Sequence, residues 1–145
     1  MRTALFAGSF DPFTIGHKAI VDRALSLFDE VIVAFGVNVG KASYMPLEER
    51  MNRVRKVYKD DDRVKVVNYE GMTVDFARKL GVTCLVRGVR DVKDFEYEKN
   101  MAEVNRRLTG MDTVLLVADS DTGYVSSSLV RELAHFGNEI DDLIV

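Results

Sequence analysis

The chain has 145 residues, of which 47% are apolar and 30% are charged, the balance of an ordinary globular protein. This length predicts one domain, residues 1–145, that buries its own core. The formal net charge of −3 argues against a general nucleic-acid-binding protein, whose surface would be basic. We see no secretory signal and no apolar stretch near the roughly 20 residues of a bilayer span, so we expect a cytoplasmic protein without a membrane segment.

Five short apolar runs, rich in β-branched residues, alternate with amphipathic segments along the chain. These runs predict strands over residues 3–7, 31–37, 64–67, 82–86 and 113–118. Several are apolar at nearly every position, which is typical of strands covered on both faces of a parallel sheet.

Helical patterns separate and follow these runs. In the first helix, apolar residues recur at helical spacing from His17 to Phe28. The second begins at Pro46, with acidic residues in its first turn, and runs to Tyr58. The others are predicted over about 73–80, 94–108 and 126–136, each followed within two residues by a glycine. This order predicts an α/β fold, a Rossmann-like doubly wound sheet of five parallel strands with helices on both faces.

Cationic, hydroxyl and glycine residues follow the predicted strands. In chain order these residues are Ser9, His17, Lys41, Thr73, Arg87, Gly88, Arg90, Ser126, Ser127 and Ser128. Ligands of such sheets bind beyond the carboxyl ends of the strands, so we expect these residues to converge there. Arginine forks, a lysine and helix N-termini are suited to a polyphosphate. No paired carboxylates at this edge have a spacing that suggests general acid–base catalysis.

Each of these signals also has a purely structural explanation. His17 lies on the apolar stripe of its helix and fits a buried, hydrogen-bonded histidine equally well. The serine run fits a helix cap. Arg87 and Arg90 fit surface ion pairs with Asp91, Asp94 or Glu98. Both the P-loop motif and Gly-x-Gly-x-x-Gly are absent.

Two further residues are read as structural. Cys84, the only cysteine, lies in an apolar run and is expected to be a buried, inert thiol. His135, late in the last helix, is expected to be structural or exposed.

Four sequence blocks, in order, resemble one family of nucleotidyltransferases. Thr14-Ile15-Gly16-His17 is similar to the T/H-x-G-H signature of that superfamily. The full set resembles the phosphopantetheine adenylyltransferases: GSFDPFTIGH at 8–17, LEER at 47–50, RGVRDVKDFEYE at 87–98 and VSSSLVRE at 125–132. The resemblance runs from residue 3 to about residue 136. It implies a pantetheine-phosphate adenylyltransferase, a transferase that makes dephospho-coenzyme A and pyrophosphate from ATP and 4'-phosphopantetheine.

The resemblance also implies residue roles. His17 would stabilise the transition state, and Lys41 would act beside it as a catalytic residue. Substrate-binding positions would be Ser9, Lys41, Thr73 and Arg87. ATP-binding positions would be Ser9, Phe10, His17, Gly88, Val89, Arg90, Glu98, Tyr124, Val125, Ser126, Ser127 and Ser128. It further implies Mg²⁺ bound mainly through the ATP phosphates, with no metal ligand from the protein, a homohexamer, and feedback inhibition by coenzyme A.

Two alternatives stay open at this point. A nicotinamide-mononucleotide adenylyltransferase or a cytidylyltransferase would share the strand-loop-helix signature at 8–17. A non-catalytic nucleotide sensor would keep the fold and lose the chemistry. The block at 87–98 and the short length favour the first family, and the intact phosphate-handling residues disfavour the sensor. The chain departs from the usual family pattern at Ala7, where proline is common, and over Asp121-Thr122-Gly123.

Overall fold

All five predicted strands are present in a computed structural model of the chain, which describes residues 1–145. The strands are β1 (Thr3–Gly8), β2 (Glu30–Gly36), β3 (Val64–Tyr69), β4 (Cys84–Val89) and β5 (Thr113–Val117). They form one sheet in the order β3-β2-β1-β4-β5, and every pairing is parallel. The strand order therefore reverses between β1 and β4, the place where open α/β sheets bind ligands.

Five helices connect or follow the strands, as predicted. They are α1 (Ile15–Ala24), α2 (Leu47–Val57), α3 (Thr73–Leu80), α4 (Val92–Thr109) and α5 (Ser127–His135). Gly81 and Gly110 end α3 and α4 in the left-handed conformation, with φ of 70° and 78°. None of the five helices combines the length and the apolar character that crossing a membrane requires.

Helix α1 is shorter than its apolar stripe predicts. It ends at Ala24, and the chain turns through Ser26, whose hydroxyl donates to the Arg23 carbonyl over 2.6 Å. A serine hydroxyl that bonds the backbone in this way competes with helix continuation. Leu25 and Phe28 still pack against the core, so these two apolar side chains contact it from the turn and not from the helix.

The core lies on both faces of the sheet. On one face, α1 and α2 pack Val21 and Val54 onto the odd-numbered residues of β2. On the other face, α3 packs Ala77 onto Leu5 and Ile32. Both faces of the central strands are thus covered, which explains why the sequence of these strands is apolar at nearly every position.

Strand β4 extends further than predicted and corrects the expected position of the Arg87 block. The prediction placed Arg87 after the fourth strand, but β4 pairs with β5 as far as Val89. Its pairing with β1 stops at Leu85, so β1 and β4 separate at their carboxyl ends. Across this gap, Nη1 of Arg87 donates to the Ala7 carbonyl over 2.7 Å. A side chain therefore bridges two strands whose backbones no longer pair.

Candidate active site

Three clefts meet at the carboxyl edge of the sheet, around the end of β1. The first, of about 320 Å³, is lined by the ends of β1 and β4, by α1 and by the start of α5. The second, of about 360 Å³, lies between β1, β4, α3 and α4. The third, of about 470 Å³, includes the loop that follows β2. Ser9 and His17 border the first and third clefts, and Arg87 and Glu98 border the first and second.

His17 is held in one tautomer by the start of its own helix. Thr14 is the N-cap of α1, and its backbone N–H donates to Nδ1 of His17 over 2.9 Å. In return, the backbone N–H of His17 donates to the Thr14 hydroxyl oxygen over 3.3 Å, which completes a capping box. Because an amide N–H only donates, Nδ1 must accept, and the proton of the neutral ring lies on Nε2. No protein atom accepts a hydrogen bond from Nε2, which leaves that donor for a ligand.

An aromatic cluster surrounds the imidazole. The ring centroids of Phe6, Phe10 and Phe13 lie 6.2, 4.9 and 5.3 Å from that of His17. Burial, and after it the positive charges of Arg87 and Arg90, lowers the pKa of His17 from 6.5 to about 4. The ring is therefore neutral at pH 7. The structural explanation for His17 is thus partly correct: the residue is half-buried and its ring is hydrogen-bonded, yet the ring still borders two clefts.

Phe10 gives the loop after β1 its sharp turn. It has a φ of 47°, the only residue other than glycine with a positive φ, and such a conformation is strained for a bulky side chain. Its ring is 4% exposed and packs edge-on against Phe13, Phe35 and His17. This packing compensates for the backbone strain and sets Ser9 at the rim of the cleft.

Both arginines of the 87–98 block are paired. The structural alternative predicted surface ion pairs, but the Glu98 side chain that pairs with Arg87 is only 8% exposed. Arg87 forms a bidentate pair with Glu98, with Nε and Nη2 donating over 2.9 and 2.8 Å. Arg90 donates to Asp94 from its backbone N–H over 3.1 Å and from Nε over 3.4 Å. Arg87 has five N–H donors and uses three, counting the bond to Ala7, so two remain for a ligand.

The serine run combines a helix cap with free donors. Ser126 is the N-cap of α5, and its hydroxyl accepts from the Leu129 N–H over 3.1 Å. Ser127 donates from its hydroxyl to the Pro12 carbonyl over 2.8 Å and so joins α5 to the loop after β1. The backbone N–H groups of Ser127 and Ser128 have no protein acceptor. The start of α5 therefore offers two N–H donors and the positive end of its dipole to an anion.

Most of the predicted site residues converge on these clefts. Ten of the predicted residues line the first cleft: Ser9, Phe10, His17, Arg87, Gly88, Arg90, Glu98, Val125, Ser126 and Ser127. Thr73 borders the second cleft, and Lys41 and Ser128 border the third. Two predicted residues border none of the three: Val89 is buried in β4, and Tyr124 is 62% exposed. Contact of any of these residues with ATP or the acceptor stays a prediction, and for these two no cleft lies beside them.

Sequence reasoning missed two cations that shape the site. Arg131 borders the first and third clefts, and its Nη1 donates to the Asp11 carbonyl over 2.7 Å. Its place three residues after Ser128, on the same helix face, was the signal. Arg50 is 7% exposed and donates to the carbonyls of Met45 and Ser9 over 2.8 and 2.6 Å. Only its position inside the LEER block pointed to it.

Gly16 lies where helix α1 meets the backbone of the loop before α5. A Cβ at this residue would lie 3.0 Å from the Val125 carbonyl oxygen and 3.2 Å from that of Thr122. The glycine therefore lets α1 approach the backbone of the loop before α5, in addition to leaving room in the first cleft. The two walls of that cleft are packed directly on one another at this point.

Cys84 and His135 behave as expected. Cys84 is a buried free cysteine, and burial raises the pKa of its thiol. His135 is exposed and packs edge-on against Phe136.

Comparison with known proteins resolves which family this site belongs to. Residues 5–133 match the cytidylyltransferase-like family model. The chain is 47% identical over 144 residues to a phosphopantetheine adenylyltransferase from Bacteroides fragilis, covering 99% of this chain and 96% of that protein. It is 49% identical over 141 residues to a phosphopantetheine adenylyltransferase from Porphyromonas gingivalis, covering 97% and 92%.

A solved structure with a related fold is a bifunctional NMN adenylyltransferase/ADP ribose pyrophosphatase from Francisella tularensis, complexed with AMP and a manganese ion. It matches with a TM-score of 0.73 at 14% identity, over 99% of this chain and 44% of that one. This chain thus spans less than half of the bifunctional protein, and the likeness concerns the fold.

The fold and the site together define a nucleotidyltransferase. Within that class, identities of 47% and 49% over nearly the whole chain show that it belongs to the phosphopantetheine adenylyltransferase family. The family predicted from the four sequence blocks is thereby confirmed.

Proposed function

We propose that the three clefts bind ATP and 4'-phosphopantetheine together and that residues 1–145 act as one nucleotidyltransferase domain. The activity is that of the family: transfer of the adenylyl group to 4'-phosphopantetheine, which yields dephospho-coenzyme A and pyrophosphate in coenzyme A biosynthesis. One observation carries the assignment of residues. A neutral His17, with Nδ1 occupied and Nε2–H free, borders two clefts whose linings include several cations and serines.

The chemistry explains why no general base is needed. A phosphate monoester has a second pKa of about 6, so the acceptor is largely ionised at neutral pH. Its oxygen attacks the α-phosphorus of ATP in line, a new P–O bond forms, and the bond to pyrophosphate breaks. The protein then has to position both substrates and stabilise charge that develops on the α-phosphoryl oxygens. In our proposal, Nε2–H of His17 donates to one of these oxygens.

The polar groups around His17 divide between the two substrates. Ser9 and Lys41 border the third cleft and would hold the nucleophilic phosphate beside the α-phosphorus. The N–H groups at the start of α5, with Arg131, would hold the β- and γ-phosphates. Arg90 would contribute a further positive charge at the rim of the first cleft.

The second cleft fits the rest of the acceptor. Most of its lining is apolar, with residues from β1, α3 and α4, and Thr73 and Arg87 are among its polar groups. A pantetheine arm is a flexible chain of apolar links and amides, and a mixed cleft of this kind suits it. Because Arg87 also borders the first cleft, it would mark the junction between the two substrates.

Mg²⁺ enters this proposal as part of the MgATP substrate. No group of three or more His, Cys, Asp or Glu side chains in residues 1–145 is arranged to hold a metal ion. The cleft carboxylates of Glu98 and Asp94 are paired with arginines. Since Mg²⁺ favours phosphate oxygens and retains water, the ATP phosphates would be its main ligands.

Self-association is proposed from helix α4. This 18-residue helix has a single buried residue, Glu98, whereas several of its apolar side chains remain open to solvent. The exposed ones are Val92, Phe95, Tyr97, Met101, Val104 and Leu108. Exposed apolar surface on this scale is typical of a protein interface, so we propose that copies of the chain pack there in the predicted homohexamer. A monomer at micromolar concentration in sedimentation equilibrium would contradict this.

The experiment that tests the function measures pyrophosphate release from MgATP with three acceptors in parallel: 4'-phosphopantetheine, nicotinamide mononucleotide and none. Release with 4'-phosphopantetheine alone is expected. Release with nicotinamide mononucleotide alone would show the acceptor specificity of a nicotinamide-mononucleotide adenylyltransferase. Folded protein that binds ATP and releases pyrophosphate with neither acceptor would be a nucleotide sensor. Adding coenzyme A to the active reaction tests the predicted feedback inhibition.

A further inference from the structure

Residues Leu143, Ile144 and Val145, here called the bridging segment, pair with the loop that precedes α1. Ile144 forms an antiparallel bridge with Thr14. On either side of that bridge, the Ile15 N–H donates to the Leu143 carbonyl over 3.0 Å, and the Val145 N–H donates to the Phe13 carbonyl over 3.2 Å. Residues more than 125 positions apart in sequence are thus joined next to the residue that caps α1.

The backbone groups that this pairing occupies lie in a buried loop. Thr14 is fully buried and Phe13 is 2% exposed. A buried backbone N–H or C=O without a partner is costly, so the loop keeps its present path only while the bridging segment supplies these partners. The two hydrogen bonds hold the backbone of Phe13 and of Ile15 in place. They thereby fix the position of the Thr14 amide, which lies between these residues.

The bridging segment is itself anchored to the core. The Val145 side chain packs against the main hydrophobic cluster. Nη1 of Arg53, on α2, donates to the Val145 oxygen over 3.3 Å. The Leu143 N–H donates to the Ile140 carbonyl over 2.9 Å, which closes a turn just before the segment. These contacts connect α2, through the segment, to the start of α1.

We propose that the bridging segment is a positioning element for His17, which holds the Thr14 amide where it selects the tautomer with Nε2–H. The proposal rests on the role proposed above for His17. The Thr14 N–H lies one residue from both bridging hydrogen bonds, and its bond to Nδ1 is 2.9 Å long. Any shift of Phe13 or Ile15 therefore changes the geometry of that bond. With the bond lost, the remaining partner of Nδ1 is the Thr14 hydroxyl, 3.1 Å away. A hydroxyl can donate or accept, so it does not select a tautomer, and the neutral ring divides between the two.

A simpler role for the segment is to shield the core. That role would depend on the apolar side chain of Val145 and not on its N–H. The two roles separate cleanly, because proline removes the N–H while alanine keeps it and removes more of the side chain.

Two matched pairs of variants make the test. Val145→Pro deletes the donor to Phe13, and the extended Ile144 before it is compatible with a following proline. Val145→Ala is its control. On the other side, Ile15→Pro deletes the donor to Leu143 at the first position of α1, where proline is favoured. Thr14 before it is also extended, with φ −101° and ψ 171°, and Ile15→Ala is the control.

The readout is the ¹⁵N NMR spectrum of the His17 ring, with kcat and KM measured on the same proteins. The chain has only two histidines, and His17→Ala assigns the signals. Wild type and both alanine variants should show one neutral tautomer with an unprotonated Nδ1. Both proline variants should show averaged ring shifts and a kcat about tenfold lower, with KM for either substrate changed by no more than about twofold.

Two results would overturn the proposal. One is a proline variant, folded by circular dichroism, that retains the wild-type ring spectrum. The other is an alanine variant that alters the spectrum as much as its proline partner, which would assign the segment to core shielding. If His17→Ala itself keeps full turnover, the proposed role of His17 fails, and the ring spectra still decide whether the segment positions it.

Discussion

The backbone N–H of Thr14 donates to Nδ1 of His17, so a main-chain amide and not a carboxylate orients this histidine. The difference is chemical. A carboxylate partner would stabilise the imidazolium, whereas an amide donor can bond only an unprotonated Nδ1 and so opposes protonation. An ionised phosphate nucleophile does not require a base, and the histidine is needed as a hydrogen-bond donor. The amide partner keeps it in the form that serves this purpose.

Acidification should destabilise the protein through His17. The pKa of His17 is lowered from 6.5 to about 4, by burial first and then by Arg87 and Arg90. Between these pH values the unfolded chain binds more protons at this residue than the folded chain, so the free energy of unfolding falls as the pH falls. From pH 7 to pH 5 this contributes a loss of about 2 kcal/mol.

Urea unfolding at both pH values, on wild type and His17→Gln, measures that loss. The glutamine variant lacks the titrating ring and should lose about 2 kcal/mol less than wild type. Equal losses in the two proteins would show that the pKa of His17 is not lowered in the folded state.

The side chain of Thr14 should contribute to stability separately from its amide. Thr14→Val removes the hydroxyl that caps α1 and should lower the free energy of unfolding by about 1–2 kcal/mol. The backbone donor to His17 remains, so the imidazole tautomer should not change. Urea unfolding at pH 7 checks the first effect, with Thr14→Ser as the variant that keeps the cap. A serine variant as unstable as the valine variant would contradict a capping role.

The pair between Arg87 and Glu98 should be important for stability. The Glu98 side chain is 8% exposed and that of Arg87 is 38% exposed. Glu98→Gln leaves a partly buried guanidinium without its charge partner and should cost roughly 2 kcal/mol, less than a fully buried pair because Arg87 reaches solvent. Glu103→Gln is the control, since the pair of Glu103 with Lys99 on the same helix lies at the surface. Similar losses of stability in the two variants would show that the buried Glu98 pair contributes no more than the surface pair of Glu103.

Arg131, which was not among the predicted site residues, should bind a phosphate of ATP. Arg131→Ala should raise KM for ATP about tenfold or more, the effect of losing one charge-assisted hydrogen bond. Arg131→Lys retains the charge and should recover part of the loss. The exposed Arg78 on α3 provides the control, and Arg78→Ala should leave KM for ATP unchanged. Steady-state kinetics at saturating acceptor would detect the difference, and an unchanged KM in Arg131→Ala would exclude this contact.

Much of the fold could be read from periodicity, because nearly every element has a strong local signal. Gly81 and Gly110 marked two helix ends, and the apolar strands marked a sheet covered on both faces. The errors arose where tertiary pairing decided the outcome. Phe28 packs against the core although it lies outside α1. Arg87 lies within β4 because β4 pairs with β5 as far as Val89, whereas its pairing with β1 ends at Leu85.

The candidate site was predictable in composition and not in connectivity. Strand ends brought His17, Ser9 and the serine run to one edge, as the topology requires. The hydrogen bond from Thr14 to His17 depends on the exact turn before α1, and the bridging segment reaches that turn from the far end of the sequence. No local pattern encodes a contact of that separation.

The most direct test of this account is the turnover of His17→Ala with MgATP and 4'-phosphopantetheine, in protein shown by circular dichroism to be folded. The account predicts that kcat falls by about 10² or more, the scale for losing one preorganised donor to developing charge, while KM for both substrates stays near wild type. Near-normal kcat in the folded variant would contradict it, and the centre of the reaction would then lie elsewhere in the three clefts.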